Sequence, residues 1–125
     1  MRVDVLALDK VFDLGLSAVL DAFQTANELI DLSGLTVPRF QVRIVGVRRA
    51  VKTSQGLSVP VQAAGTRAPD CVVVPAIGFK MPDALEAALA RPDVRDGAVV
   101  LREWARRGTM IRYSTLAGCS ASAPV

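Results

Sequence analysis

The feature that most constrains the fold is the apolar run DCVVVPAIG at residues 70–78. Val72, Val73 and Val74 are consecutive β-branched residues, without the alternation of apolar and polar positions that marks a strand with one face in water. A short continuous run of this kind, ended by a proline and a glycine, is typical of a strand covered on both faces. All three valines are therefore predicted to be almost fully buried in a parallel sheet.

The rest of the chain alternates strands with helices, as a parallel sheet with crossover helices requires. A hairpin at 51–63 is predicted to lie at one edge of the sheet, because Pro60 cannot donate a ladder hydrogen bond. The expected fold is α/β, a three-layer αβα sandwich with a mainly parallel sheet. Strands are predicted at 2–8, 39–47, 70–75 and 109–114, and helices at 12–34, 82–90 and 93–108, the last with Val94, Ala98, Leu101 and Ala105 on one face.

Length and composition limit the classes of function. With 125 residues, 51% of them hydrophobic, the chain suffices for one packed domain. It has no histidine, which excludes a histidine-based metal site or a Cys–His dyad within these residues. No apolar run reaches the ~18 residues of a membrane span, and the N-terminus lacks a signal-peptide pattern. We expect a cytoplasmic protein in which Cys71 and Cys119 are not paired.

Arginines cluster in two parts of the sequence, and two interpretations stay open. Exposed faces of strands and helices would explain them, and so would a patch that contacts phosphates. The second lacks a recognition-helix pattern and interleaved aromatic residues. The arginines concerned are Arg39, Arg43, Arg48 and Arg49, and Arg102, Arg106 and Arg107.

Candidate site residues follow three of the predicted strands. A parallel α/β sheet places its working residues at the carboxyl ends of its strands. Residues 9–13, 75–78 and 114–122 arrive at that edge, and the third segment holds Cys119 within LAGCSAS. Small neighbours permit a strained strand-to-helix turn, and a helix beginning there would favour the thiolate. A small cysteine that merely fits a tight turn is the alternative.

The other two segments also have two interpretations. Asp13 stands where a helix N-cap or first-turn acid would stand, and it could equally be a carboxylate beside the thiol. An ionised Asp13 would oppose a thiolate, whereas a protonated one would donate a hydrogen bond to the sulfur. Residues 75–78 form either a simple loop or a set of backbone N–H donors for an oxyanion.

The whole chain resembles the first two-thirds of a ThiJ/PfpI domain, which implies the flavodoxin-like, class I glutamine amidotransferase-like fold. It is most similar to the version found in front of an AraC-type DNA-binding domain. The segments that carry the resemblance are LALDKVFDLGLSAVLDAF, VKTSQGLSV, DCVVVPAIG, GAVVLREWARRG and LAGCSASAPV. The resemblance implies Cys119 at the nucleophile position with Ser120 behind it, Asp13 at the corner before the first helix, and backbone donors at Ala76, Ile77 and Gly78.

Three departures from the family pattern bear on activity. Ala76 and Ile77 replace the usual glycine pair, and the branched side chain at 77 would narrow the pocket. Ala121 stands where the family has glycine. The family's histidine, where present, falls after Val125. Because the chain ends six residues into the helix expected after Cys119, we expect it to be a fragment of a longer protein.

The resemblance therefore implies two classes of function. The first is a ligand-sensing or dimerisation domain of an AraC-family transcriptional regulator, a homodimer that binds a small molecule and contacts DNA only through a domain outside this chain. The second is a cysteine-dependent enzyme, isonitrile hydratase-like, amidase-like or glyoxalase-like. A structural relative with a vestigial site is a third interpretation. We favour the regulator, and we expect no cofactor, metal or membrane.

A labelling experiment tests the corner. We expect iodoacetamide to modify Cys119 below about pH 8, where an ordinary thiol is still mostly protonated. Modification of Cys71 should be slower, and Asp13→Ala should slow the reaction at Cys119. Equally slow labelling of both cysteines, unaffected by Asp13→Ala, would make Cys119 only a small residue in a tight turn.

Overall fold

The computed structural model describes residues 1–65 and 67–114. Strands and helices alternate along this part of the chain, with a hairpin inserted after the second long strand. The elements are β1 (Arg2–Leu6), α1 (Asp13–Ser33), β2 (Gln41–Gly46), β3 (Val51–Lys52), β4 (Ser58–Val59), β5 (Gln62–Ala63), β6 (Cys71–Pro75), α2 (Pro82–Leu89), α3 (Pro92–Arg106) and β7 (Met110–Ser114).

The main sheet has five strands in the order β5-β2-β1-β6-β7, and every neighbouring pair is parallel. β1 lies in the centre, with Val3 opposite Cys71 and Val5 opposite Val73 of β6. The predicted parallel pairing of the first and third long strands is therefore confirmed. The architecture is the predicted α/β, flavodoxin-like one, and the long strands begin and end within two residues of their predicted limits.

Helices pack on both faces of this sheet. On one face, α1 places Val19 and Phe23 against Val3, Cys71 and Val73. On the other face, α3 buries Leu101 and Trp104 against the strands, in a cluster completed by Leu6, Val45 and Val72. Ala105 was predicted to face the core, but it is exposed. Trp104, which is 2% exposed, takes that role and provides the largest buried side chain of the described residues.

The prediction that three consecutive valines are almost fully buried is correct for two of them. Val72 is 0% exposed and Val73 is 8% exposed, whereas Val74 is half-buried at the margin of the α3-side cluster. Val74 lies opposite Tyr113 of β7, and Tyr113 is 37% exposed. The described helices therefore cover this corner of the sheet less completely than its centre.

The hairpin was predicted at an edge of the sheet, and this placement is wrong for most of it. β3 and β4 form a separate antiparallel pair, with Val51 opposite Val59. Only β5, which follows Pro60, joins the main sheet as an edge strand beside β2. The physical reason is that backbone groups of the hairpin bond to the β1–α1 loop at the carboxyl ends of the strands.

One charged pair lies within the sheet. Asp4 of β1 is completely buried and faces Arg43 of β2, its register partner. The guanidinium donates from Nε to Oδ1 at 3.2 Å and from Nη2 to Oδ2 at 3.1 Å. A second terminal nitrogen of Arg43 lies 3.4 Å from the side-chain oxygen of Gln62 on β5. Hydrogen-bonded pairing of this kind is what permits a carboxylate to be buried.

Among residues 1–65 and 67–114, no helix is long and apolar enough to cross a membrane.

Truncating a central valine should measure how much the doubly covered strand contributes to stability. Val73→Ala is expected to lower the free energy of unfolding by about 1–3 kcal/mol, because it removes buried methyl groups and leaves a cavity. Val99→Ala is the matched control, since Val99 is 59% exposed on α3, and it should change stability by less than about 0.5 kcal/mol. Urea titration of both variants is the measurement, and equal effects would contradict a central position for β6.

Candidate functional site

The β1–α1 loop lies at the centre of the strand-end region. Lys10 has a φ of 66°, the left-handed region that is uncommon for residues other than glycine. This conformation lets one residue bond in two directions. The Lys10 N–H donates to the carbonyl of Lys52 at 2.7 Å, and the Lys10 carbonyl accepts from the N–H of Gly78 at 2.7 Å. The loop thereby joins the hairpin to the segment that follows β6.

The β3–β4 hairpin is bonded along the same loop. The Ser54 N–H donates to the carbonyl of Val11 at 2.9 Å, and Val11 and Thr53 form a parallel bridge. The hairpin turn is closed by the Gly56 N–H, which donates to the carbonyl of Thr53, and Gly56 has a φ of 86°. A glycine at this position is what a three-residue hairpin loop favours. The turn therefore sits over the carboxyl ends of the strands.

The segment after β6, residues 76–78, bonds to the same loop. The β1–α1 loop, the hairpin and residues 76–78 together form a junction at the carboxyl ends of the strands. The Phe12 N–H donates to the carbonyl of Ala76 at 2.8 Å, and Ile77 pairs with Val11 in an antiparallel bridge. Gly78 packs so closely against the hairpin that a Cβ there would lie 2.5 Å from the Cβ of Ser54. Because real Cβ atoms do not approach so closely, any larger residue at position 78 would force Ser54 to shift.

Asp13 is the first residue of α1 and faces the hairpin. The N-cap is Phe12, and no side chain caps this helix end. Asp13 is thus a first-turn acid, and its carboxylate reaches across the loop, where Oδ1 accepts from the Gln55 N–H at 3.1 Å. Its second oxygen, Oδ2, is buried and has no hydrogen-bond partner among the described residues. A buried acceptor without a partner costs about 1–3 kcal/mol, so Oδ2 is suited to receiving a donor.

The structure brings four of the predicted site residues into one region. Asp13 and residues 76–78 meet through the β1–α1 loop. Cys119 and Ser120 lie outside the described residues. The N–H of Gly78, predicted as a donor for an oxyanion, is already bonded to Lys10. The proposed donors that this bond does not occupy are the N–H groups of Ala76 and Ile77.

Several residues at this junction were not predicted. Asp9 accepts from the Lys52 N–H at 3.0 Å, and its carbonyl accepts from Arg91 at 2.8 Å. Ser54 and Gln55 were predicted only as part of the hairpin at 51–63. The available signal was the pair of aspartates on either side of a short loop after a strand. The left-handed conformation of Lys10 could not be predicted, because the residue is a lysine and not a glycine.

Cys71, the second cysteine, is a buried free thiol on β6. Burial raises the pKa of the Cys71 thiol, and the positive charge of Arg112 on β7 offsets part of that rise. A raised pKa leaves little thiolate near neutral pH, so Cys71 serves as a slow internal reference for labelling. No cluster of three metal-ligating side chains exists in the described ranges.

The arginine clusters are largely engaged with carboxylates. Ion pairs join Arg39 to Asp31, Arg48 to Asp96 and Arg106 to Glu103, in addition to the Arg43–Asp4 pair within the sheet. Two open cavities lie beside residues of the first arginine cluster, one at Arg39 and one at Arg48. One of about 600 Å³ runs between α1 and β2, and one of about 330 Å³ is lined by Asp9, Arg48, Ala50, Arg91, Pro92 and Asp93.

The contact between Gly78 and Ser54 can be tested as a pair. Gly78→Ala is expected to destabilise the protein by about 1–3 kcal/mol, because the new methyl group overpacks the junction. Adding Ser54→Gly removes the atoms that clash and should restore most of the loss. Gly65→Ala is the control, since the nearest atom to its Cβ would be 3.9 Å away. Thermal and urea unfolding of the variants measure this, and additive losses in the double variant would contradict the contact.

Neither protein-family models nor curated proteins give a match to this chain. Solved structures do. An AraC family transcriptional regulator from Pseudomonas putida has a TM-score of 0.65 and 20% identity, covering 90% of this chain and 54% of that protein. A protein from Vibrio parahaemolyticus, described as a transcriptional regulator, has a TM-score of 0.62 and 21% identity, covering 90% and 55%.

A protein described as protease I, from Bacteroides thetaiotaomicron, has a TM-score of 0.56 and 20% identity, covering 90% of this chain and 61% of that protein. The chain thus spans 54–61% of the length of these three proteins. The predicted likeness to ThiJ/PfpI-type domains and to AraC-type regulators is confirmed as a likeness of fold.

Proposed function

We propose that this chain is part of the ligand-sensing or dimerisation domain of an AraC-family transcriptional regulator. The observation that carries the proposal is the junction of the β1–α1 loop, the hairpin and residues 76–78 at the carboxyl ends of the strands. This is where open α/β sheets bind small molecules. In the proposed function, a small molecule binds there in a cytoplasmic homodimer, and DNA is contacted by a domain outside this chain.

Details of the junction favour sensing over turnover. The Gly78 N–H is bonded to Lys10, so one donor of the family's oxyanion site is occupied within the protein. Ile77 places a branched side chain where the family has glycine. A binding pocket needs a few convergent polar groups, whereas an oxyanion site needs its N–H donors free and aimed. The described residues meet the first requirement better than the second.

A cysteine-dependent enzyme of the same superfamily is the second candidate. Its supporting observation is Oδ2 of Asp13, a buried acceptor without a partner among the described residues. In an isonitrile hydratase-like mechanism, Cys119 would attack the substrate carbon and Asp13 would transfer the proton. Ser120 and N–H groups near Ala76 and Ile77 would stabilise the developing negative charge. Amidase-like and glyoxalase-like reactions would use the same nucleophile.

Measuring DNA affinity with and without ligand tests the regulator. Small molecules are first selected by the thermal stabilisation of the protein that carries this chain, and then added to a DNA-binding titration at fixed salt. Allosteric coupling typically changes affinity by about 5–150-fold. We expect a change in this range in the wild type and its loss in Asp13→Ala. Asp31→Ala, which alters an exposed ion pair on the same helix, should behave like the wild type.

A turnover assay separates the two candidates. Conversion of an isonitrile or an amide by the wild type, abolished by Cys119→Ser, would overturn the regulator proposal in favour of the enzyme. If the regulator proposal holds, both proteins leave these substrates unchanged while ligand-dependent DNA binding remains.

A further inference from the structure

The β3–β4 hairpin is held over the strand ends by three kinds of hydrogen bond. Two bonds are made by backbone groups alone, from Lys10 to Lys52 and from Ser54 to Val11. The Ser54 hydroxyl donates to the carbonyl of Gly78 at 3.4 Å, and two further bonds use side-chain carboxylates. Asp9 accepts from the Lys52 N–H at the base of the hairpin, and Asp13 accepts from the Gln55 N–H at its turn. Each carboxylate thus holds one definite amide of the hairpin.

Asp13 differs from Asp9 in what its second oxygen does. Oδ1 holds the turn, whereas Oδ2 is buried and has no partner in the described part of the chain. The two oxygens belong to one rigid, planar group. A donor that bonds to Oδ2 therefore fixes the orientation of Oδ1, and a group that repels Oδ2 rotates Oδ1 away from Gln55.

We propose that Asp13 couples the strand-end site to the hairpin, so that the chemistry of a ligand beside Oδ2 sets how firmly the turn at residues 54–56 is held. The inference rests on the proposed function, because it assigns the means by which that site would signal. A ligand with an N–H or O–H donor stabilises the held turn, and an anionic ligand releases it. By linkage, a held turn in return favours ligands that carry a donor.

The backbone bonds confine this effect to the turn. Ser54 bonds to the Val11 carbonyl at 2.9 Å, without any carboxylate. Releasing Gln55 therefore leaves the Ser54 and Lys52 amides protected, and the hairpin stays folded. In this arrangement Asp13 is a positioning residue, and Gln55 is the residue whose amide reports its state.

Amide hydrogen exchange in the intact protein, resolved by NMR, tests the hold on the turn. Asp13→Ala should accelerate exchange at Gln55 by about five-fold, the factor expected for loss of one ordinary hydrogen bond. Ser54 should be unchanged. Asp13→Asn keeps an acceptor oxygen and should restore protection, whereas Asp9→Ala should affect Lys52 instead. Asp21→Asn, an exposed change on the same helix, is the matched control. Equal exchange at Gln55 in wild type and Asp13→Ala overturns the proposal.

Two adducts of equal size test the coupling to the site. Iodoacetamide and iodoacetate alkylate Cys119 with loss of iodide, and leave an amide donor or a carboxylate respectively. Peptide mass confirms the labelled residue. Exchange at Gln55 should be slower with the amide adduct than with the carboxylate adduct. In Asp13→Asn the order should reverse, because the atom that replaces Oδ2 is a donor. A merely structural role for Asp13 would not produce this reversal.

The outcomes separate this inference from the proposed function. If the rate of Cys119 alkylation depends on Asp13 but the order of the adducts is the same in both proteins, the coupling is overturned and the proposed site stands. If exchange at Gln55 is the same with both adducts in the wild type, the coupling is overturned as well, whereas failure of the proposed function is read from the DNA-binding titration, in which no ligand changes the affinity.

Discussion

The parallel pairing of β1 with both of its neighbours is the constraint on which the rest of the structure depends. β2 and β6 flank β1 in the same direction, so all three strands end at one edge of the sheet. The loop that leaves β1 therefore emerges between two others and can bond to both. Lys10 does so with its N–H and its carbonyl. Without this pairing, the hairpin and residues 76–78 would not share the β1–α1 loop as their hydrogen-bonding partner.

The junction is built mainly from backbone groups, through the hydrogen bonds that join the β1–α1 loop to the hairpin and to residues 76–78. Main-chain bonds fix the positions of the loops whatever the side chains are. Side chains matter at a few points: Gly78, where a Cβ would collide with Ser54, and Asp9 and Asp13, which accept from the hairpin. Chemistry at the strand ends can therefore vary among proteins of this fold while the frame that presents it persists.

The sequence predicted the sheet well because strand signals are local. The runs around Val5, Ile44 and Val73 indicate their own strands without reference to the rest of the chain. Placement of the hairpin failed because it depends on acceptors in a loop some forty residues earlier, and no period in the sequence reports them. Asp13 was recognised as a candidate, but its bond to Gln55 was not, for the same reason. Trp104 was missed because the predicted face was continued from Leu101 to Ala105, four residues on, whereas the buried face of α3 continues from Leu101 to Trp104, three residues on.

The pairing of Asp4, which is buried, with Arg43, whose side chain is 33% exposed, restricts how β1 and β2 can align. Sliding β2 by two positions along β1 would keep every apolar side chain on its proper face, so hydrophobic burial alone would not resist it. Such a slip would place Asp4 beside Gln41 or Val45 instead of its arginine. A buried carboxylate deprived of its partner costs on the order of 3 kcal/mol. The pair thus favours a single register between the two strands, and with it a single alignment of the loops at their ends.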